Sequence, residues 1–195
     1  MTSVDYAMPG WFTDLLGFDT APEEGATLQV NGQSMIVERG VLRHSSIASA
    51  AQAQTEQTFG FKWKKRDTFD GGIPAQMRRW LIEKYGDICA SDWFVNGAAR
   101  PVVLDAGCGA ALSALCLFEN ALDRIRYVGV DISEAVDVAR ERFVEKGSTA
   151  GFIQSNLLNI PLPDDCADII FSEGVLHHTD STRDALAALI PYLKT

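Results

Sequence analysis

The stretch VVLDAGCGAA, residues 102–111, decides how the rest of the chain is interpreted. Its first residues, Val102 to Leu104, form an uninterrupted apolar run, which is typical of a parallel strand buried on both faces. The run ends in an acid, Asp105, and Gly107 and Gly109 then allow the backbone to turn sharply and a ligand to approach it. The pattern predicts a strand, a tight turn and a helix whose N-terminal amides face a ligand.

A second acid, Asp131, ends the next predicted strand, YVGVD at 127–131. A carboxylate at this position can accept hydrogen bonds from the hydroxyls of a ribose, as in dinucleotide-binding proteins. Asp105, however, would repel a diphosphate lying over the glycine turn, whereas it would attract the ammonium group of S-adenosylmethionine. A nicotinamide-dependent oxidoreductase is therefore the weaker alternative.

From residue 101 onward the chain resembles the class I, Rossmann-like S-adenosylmethionine-dependent methyltransferases. The motifs that carry the resemblance, in the order of the family, are LDAGCG at 104–109, Asp131, NLLNIP at 156–161 and DIIFSEGVLHH at 168–178. Ala111 stands where the family usually has a third glycine, and Asn156 stands where it usually has an aspartate. The resemblance implies an α/β fold with a Rossmann-like parallel sheet of strand order 3-2-1-4, and S-adenosyl-L-methionine as the cofactor.

The resemblance also implies a role for each motif. Asp131 should hold the ribose, Ile132 and Leu157 should enclose the adenine, and Ser172 and Glu173 should flank the sulfonium, although Glu173 also fits a solvated loop acid. The predicted cofactor-binding residues are Asp105, Ala106, Gly107, Gly109, Asp131, Ile132, Asn156, Leu157, Ser172 and Glu173. No metal site is predicted.

Catalysis of methyl transfer does not require a base, because alignment and desolvation can supply most of the acceleration of an in-line displacement. If a base is used, His178 is the candidate, because it follows the fourth strand, where ligands gather in open α/β sheets. The alternative is that His177 and His178 only pack and cap locally.

Composition narrows the class of protein. The chain has 195 residues, of which 47% are hydrophobic and 22% charged, as expected of a globular protein. A net charge of −9 disfavours nucleic-acid substrates, and the one basic cluster, Lys62 to Arg66, fits a solvated charge run. No secretory signal or membrane span is visible, and the four cysteines lack CxxC spacing, so we expect reduced thiols and a cytoplasmic protein.

The N-terminal part, residues 1–100, is expected to form an extension in front of the cofactor-binding domain at 101–195. Asn31-Gly32 lies between two alternating segments, which predicts a hairpin near 27–38. Helices are expected near 48–57 and 74–85, whereas residues 1–25 are interpreted as an irregular lead-in that carries an aromatic anchor.

The domain is expected to be incomplete at its C-terminus, because the family continues to a fifth strand and an antiparallel pair. Either the sequence is a fragment of a longer protein, or the fold is minimal. In a minimal fold, the N-terminal region, a partner or a second copy of the chain would cover the open edge beside the fourth strand, Ala167 to Phe171. The predicted function is methyl transfer to a small-molecule acceptor. These 195 residues alone are expected to bind the cofactor weakly or not at all and to show no turnover. The alternative is a catalytically inactive cofactor-binding or scaffold module.

Overall fold

The computed structural model describes residues 7–44, 73–97 and 100–195, and in these residues seven strands form one sheet of order β1-β2-β3-β6-β5-β4-β7. The strands are β1 Thr27–Val30, β2 Gln33–Glu38, β3 Val41–His44, β4 Val102–Ala106, β5 Arg126–Asp131, β6 Ala150–Gln154 and β7 Ile169–Phe171. The helices are α1 Gly10–Leu15, α2 Ile73–Tyr85, α3 Asp92–Val95, α4 Leu112–Leu117, α5 Ala135–Glu145 and α6 Thr182–Leu189.

The predicted α/β class with a mostly parallel sheet is confirmed. Strands β6, β5, β4 and β7 are parallel neighbours in this spatial order. When β4, β5, β6 and β7 are numbered 1 to 4 along the chain, this is the predicted order 3-2-1-4. The difference lies at the edge of the sheet, because the N-terminal strands do not form a separate hairpin but extend the same sheet beyond β6.

The N-terminal strands form an antiparallel meander, residues 27–44, with two tight turns. The Asn31-Gly32 hairpin is confirmed, and both residues have positive φ, 46° and 75°, as a type I′ turn requires. A second turn at Arg39-Gly40, with φ of 54° and 70°, leads into β3, a strand that the sequence did not predict. Because β3 pairs in parallel with β6, its last residue reaches the carboxyl edge of the sheet.

Helices cover both faces of the sheet. On one face α1 places the ring of Phe12 against β6, where a Cβ atom on Gly151 would lie 2.4 Å from the ring. The lead-in that the sequence indicated as irregular therefore contains a short helix with a buried anchor. On the other face Tyr127 of β5 stacks on Phe143 of α5 at 4.5 Å between ring centroids, and α2 packs against α4.

Several element bounds differ from those predicted. The helix predicted directly after the glycine turn, α4, begins only at Leu112, because Ala111 adopts a left-handed conformation with φ of 57°. The helix expected near 74–85 is confirmed as α2, and a short helix that the sequence did not predict, α3, follows it. The helix expected near 48–57 and the basic cluster at 62–66 lie outside the described residues.

The two edges of the sheet are formed by β1 and β7. The N-terminal strands lie at the edge away from β7. In the described residues they therefore do not cover the edge beside the fourth parallel strand, which was one of the predicted possibilities. Leu193 forms a parallel bridge with Ala167, and the amide of Lys194 donates to the Ala167 carbonyl at 2.9 Å. Within the described ranges, every helix is too short or too polar to cross a lipid bilayer.

Candidate cofactor site

The candidate site lies where the parallel strands end. Strands β3, β6, β5, β4 and β7 run in the same direction, so their carboxyl ends meet at one edge of the sheet, where open α/β sheets bind ligands. The predicted cofactor-binding residues lie at the ends of β4 and β5 and in the loops that follow β4, β5, β6 and β7.

The glycine turn after β4 is held by hydrogen bonds within the protein. Gly107 and Gly109 both have positive φ, 83° and 50°. The amides of Gly107 and Cys108 donate to the Val130 carbonyl at 2.7 and 2.9 Å, and the Gly109 amide donates to the Asp131 carboxylate at 2.8 Å. The sequence predicted amides that face a ligand, which is wrong for these three because each has a partner in the protein.

Asp131 joins the end of β5 to the glycine turn. Its Oδ2 accepts from the Gly109 amide, and its Oδ1 accepts from the amide and the hydroxyl of Ser133 at 2.9 and 2.7 Å. A carboxylate offers about four acceptor positions, so three contacts leave room for one more. The glycine turn and the second acidic motif are thus joined by a direct hydrogen bond. The Asp131 carboxylate was predicted to bind a ribose, but it already accepts three hydrogen bonds from the protein.

Asp105 lies beneath the turn rather than at its surface. Its side chain is buried, with 2% of the residue exposed, and its Oδ2 accepts from the hydroxyl of Tyr127 at 2.6 Å. Burial raises the pKa of Asp105 from an ordinary value near 3.8 to about 7, the Tyr127 hydrogen bond lowers it, and the charge of Asp131 raises it. A carboxyl group in this place changes its charge near neutral pH.

The loop after β7 closes on the glycine turn. Ser172 donates its hydroxyl to the Ala106 carbonyl at 2.8 Å, which brings two of the predicted site residues together. Val175 lies so close to Gly107 that a Cβ atom there would be 2.3 Å from its Cγ1. Val175 was not predicted as a site residue, because the contact joins two loops that are far apart in the chain.

Glu173 is an ion-paired residue and is not a solvated loop acid. Lys84 Nζ lies 3.2 Å from its Oε1, and the Tyr85 hydroxyl donates to its Oε2. The hydrogen bond with Tyr85, followed by the contact with Glu173, raises the pKa of Lys84. The acid therefore ties the loop after β7 to the last turn of α2.

The predicted adenine side is formed by the loops after β5 and β6. Asn156 Oδ1 accepts from the Leu158 amide at 3.0 Å, Leu157 is buried, and Ile132 is half-buried. The Ile132 carbonyl accepts from the side chain of Gln154 at 3.2 Å. Asn156, which was predicted to bind the cofactor, thus already uses its side-chain oxygen in a hydrogen bond to its own loop.

His178 lies in a 3-10 turn, Leu176–His178, and its ring is exposed. The ring centroids of His177 and His178 are 4.0 Å apart, and the His178 amide donates to the Val175 carbonyl at 2.8 Å. The backbone of the candidate base is therefore fixed to the same loop that contacts the glycine turn.

Comparison with known proteins finds a family model that matches the C-terminal part of the chain. Residues 104–195, a little less than half of the chain, match the family model described as "Methyltransferase domain". The sheet order described above is that of a Rossmann-like methyltransferase fold, so the family match and the fold agree over this part of the chain. A comparison with curated proteins finds none that matches the chain.

Solved structures share the fold at low sequence identity. A protein from Methanococcus maripaludis assigned as an S-adenosyl-L-methionine-dependent methyltransferase is 19% identical over 70% of this chain and 60% of its own, with a TM-score of 0.54. The [4+2]-cyclase SpnF is 17% identical over 77% and 59%, with a TM-score of 0.58. The CurJ carbon methyltransferase is 16% identical over 73% and 39%, with a TM-score of 0.53. The chain thus spans about half of the length of these structures.

Proposed function

We propose that the chain binds S-adenosylmethionine at the carboxyl edge of the sheet and transfers its methyl group to a small-molecule acceptor. The observation that carries the proposal is the 2.8 Å contact between the Gly109 amide and the Asp131 carboxylate, because it joins the two cofactor motifs in one site. Calorimetric titration with S-adenosylmethionine and with NADH tests it, and we expect only the former to bind.

The charges of the site suit this cofactor. The charged groups among the proposed cofactor residues are all acidic, namely Asp105, Asp131 and Glu173, and Glu173 is already paired with Lys84. Acids favour a ligand that carries an ammonium group, a sulfonium and ribose hydroxyls, and they disfavour a diphosphate. S-adenosylmethionine supplies an electrophilic methyl group on its sulfonium when it is bound.

The residues of the chain would hold the cofactor in three parts. Asp105 would attract the ammonium end from below the glycine turn. Asp131 would accept from one ribose hydroxyl at its remaining acceptor position, and from a second if the Ser133 hydroxyl turned away. Ile132 and Leu157 would enclose the adenine, with Asn156 at its edge. Ser172 keeps the loop after β7 at the end of β4, where the sulfonium would lie.

The alternative is a domain that binds the cofactor without transferring a methyl group. The structure of the [4+2]-cyclase SpnF has a related fold, so the fold alone does not determine the reaction. A mass-shift screen of small molecules with S-adenosylmethionine distinguishes the two, since only a methyltransferase adds about 14 Da to an acceptor and releases S-adenosylhomocysteine.

We further propose that residues 101–195 hold the cofactor, that residues 1–100 extend the domain, and that the protein is cytoplasmic. Four free thiols, Cys89, Cys108, Cys116 and Cys166, support a reducing compartment.

Replacement of Asp131 tests the ribose contact. We expect Asp131→Ala to weaken S-adenosylmethionine binding about ten- to a hundred-fold, because it removes a charged acceptor for the ribose and releases the Gly109 amide. Ser133→Ala is the control, since it removes one partner of the carboxylate but keeps the carboxylate. Equal affinities of Asp131→Ala and wild type by calorimetry would rule out the ribose assignment.

Replacement of His178 tests the candidate base. We expect His178→Ala to lower the rate of methyl transfer by about 10²-fold or more, with the affinity for S-adenosylmethionine unchanged. His177→Ala, which removes the neighbouring exposed ring, should leave the rate near that of wild type. If both variants lose activity equally and unfold at lower temperature, the two histidines only pack in the loop.

A further inference from the structure

The carboxyl edge of the sheet includes a residue from the N-terminal meander. Because β3 pairs in parallel with β6, His44 lies beside Ser155, and its Nε2 is 3.0 Å from the Ser155 hydroxyl. Ser155 is buried, and its hydroxyl donates to the Asn159 carbonyl at 3.0 Å. Since that hydroxyl has a single proton, His44 donates to it through Nε2–H.

The state of the His44 ring fits this role. Partial burial lowers the pKa of His44 below its ordinary value of 6.5, so the ring is neutral at neutral pH. A neutral ring that donates from Nε2 has one fixed tautomer. His44 in the meander is therefore the hydrogen-bond donor, and Ser155 in the loop after β6 is the acceptor.

A second contact holds the same loop from the same meander. The side chain of Gln33, the first residue of β2, donates from Nε2 to Asn159 Oδ1 at 3.1 Å. Residues 155–159 are thus fixed by the meander at Ser155 and at Asn159. Between these two points lie Asn156 and Leu157, the residues proposed to meet the adenine.

The other proposed wall of the adenine site is connected to the meander as well. Arg43 donates from Nη1 to Gln154 Oε1, and Gln154 donates from Nε2 to the Ile132 carbonyl at 3.2 Å. Arg43 Nη2 lies 2.6 Å from Oδ1 of Asp137 in α5, and this ion pair holds the arginine in place. Only 12% of the Arg43 side chain is exposed. Both walls of the site therefore depend on β3.

We propose that the meander, residues 27–44, orders the adenine side of the cofactor site, with His44 and Arg43 as positioning residues. The proposal rests on the function proposed above, since it assumes that Ile132 and Leu157 enclose the adenine. An adenine ring gains most from a slot that is already formed, because the loops then lose no further freedom on binding. The meander supplies this order by fixing both loops before the ligand arrives.

The test is the affinity of single variants for S-adenosylmethionine and S-adenosylhomocysteine, measured by calorimetry on the full chain. We expect His44→Ala to raise the Kd of both ligands up to about tenfold, which is the upper end of the effect of one lost hydrogen bond. His44→Gln can donate a similar amide proton to Ser155 and should return the Kd to within about threefold of wild type. Gln29→Ala, which changes an exposed residue of β1 in the same meander, should bind as wild type does.

The outcomes separate this proposal from the one on which it rests. If wild type binds neither ligand, the proposed function fails; if wild type binds and His44→Ala binds equally well, the positioning role fails. A structural role alone would lower the unfolding temperature and leave the Kd unchanged below it. Should His44→Ala not fold, Gln33→Ala replaces it, with an expected rise in Kd of about threefold, and an unchanged Kd would overturn the proposal.

Discussion

Gly107→Ala is expected to lower the free energy of unfolding by about 3 kcal/mol and to abolish cofactor binding. Gly107 has φ of 83°, a left-handed conformation that costs other residues about 1–2 kcal/mol. The added methyl group would also lie 2.3 Å from Cγ1 and 2.5 Å from Cγ2 of Val175. Either the glycine turn or the loop after β7 must move, and both belong to the proposed site.

Gly147→Ala is the matched control for this substitution. Gly147 has φ of 68°, but a Cβ atom there would meet nothing within 4 Å, so the substitution should cost only about 1 kcal/mol. Val175→Ala, combined with Gly107→Ala, should recover part of the lost stability by removing the branched side chain. Chemical denaturation measures all three, and equal losses for the two glycines would show that the contact with Val175 carries no strain.

The elements that the sequence predicted well are those specified by neighbouring residues. The strand and turn around Gly107 follow from an apolar run and a glycine pair, and the hairpin follows from Asn31-Gly32. The start of α6 is likewise specified by neighbouring residues, because the Ser181 hydroxyl accepts from the Asp184 amide at 3.2 Å.

The features that the sequence did not predict depend on residues far apart in the chain. β3 follows an Arg-Gly turn that lacks the usual asparagine or aspartate, and its partner β6 begins more than a hundred residues later. The pairing brings His44 to Ser155, and no local pattern indicates it. Likewise Val175 reaches Gly107 only because β7 lies next to β4.

The environment of Asp105 depends on the register between β4 and β5, which the local sequence does not indicate. The sequence predicted an acid open to an ammonium group. In the sheet Asp105 lies opposite Gly129 of β5. Tyr127 is two residues from Gly129 and therefore on the same face of β5, and its hydroxyl donates to the Asp105 carboxylate. The acid is thus buried against a tyrosine whose pKa burial raises well above 10, so that the phenol remains a donor.

Asp105→Asn is expected to make the free energy of unfolding much less dependent on pH between about 4 and 7. The folded state raises the pKa of Asp105 to about 7, mainly through burial, whereas the unfolded chain has an ordinary value near 3.8. The folded protein therefore binds more protons in this range, and its stability falls as the pH rises. Over about three pH units the loss is at most about 4 kcal/mol.

Asparagine cannot ionise and still offers an oxygen to the Tyr127 hydroxyl. Relative to wild type, Asp105→Asn should therefore gain stability steadily from about pH 4 to pH 7 and then level off. Tyr127→Phe is the companion variant, because it removes the hydrogen bond that lowers the pKa of Asp105. Its pH-dependent loss of stability should extend to higher pH than that of wild type.

Binding of S-adenosylmethionine should act on the same carboxyl group in the opposite direction. An ammonium group near Asp105 favours the ionised form, so binding near pH 6 to 7 should release a proton and should tighten as the pH rises. Calorimetry in buffers of different ionisation enthalpy counts the protons, and Asp105→Asn should abolish the release and weaken binding. Proton release that persists in Asp105→Asn, or a stability difference that does not change with pH, would show that Asp105 does not ionise in this range.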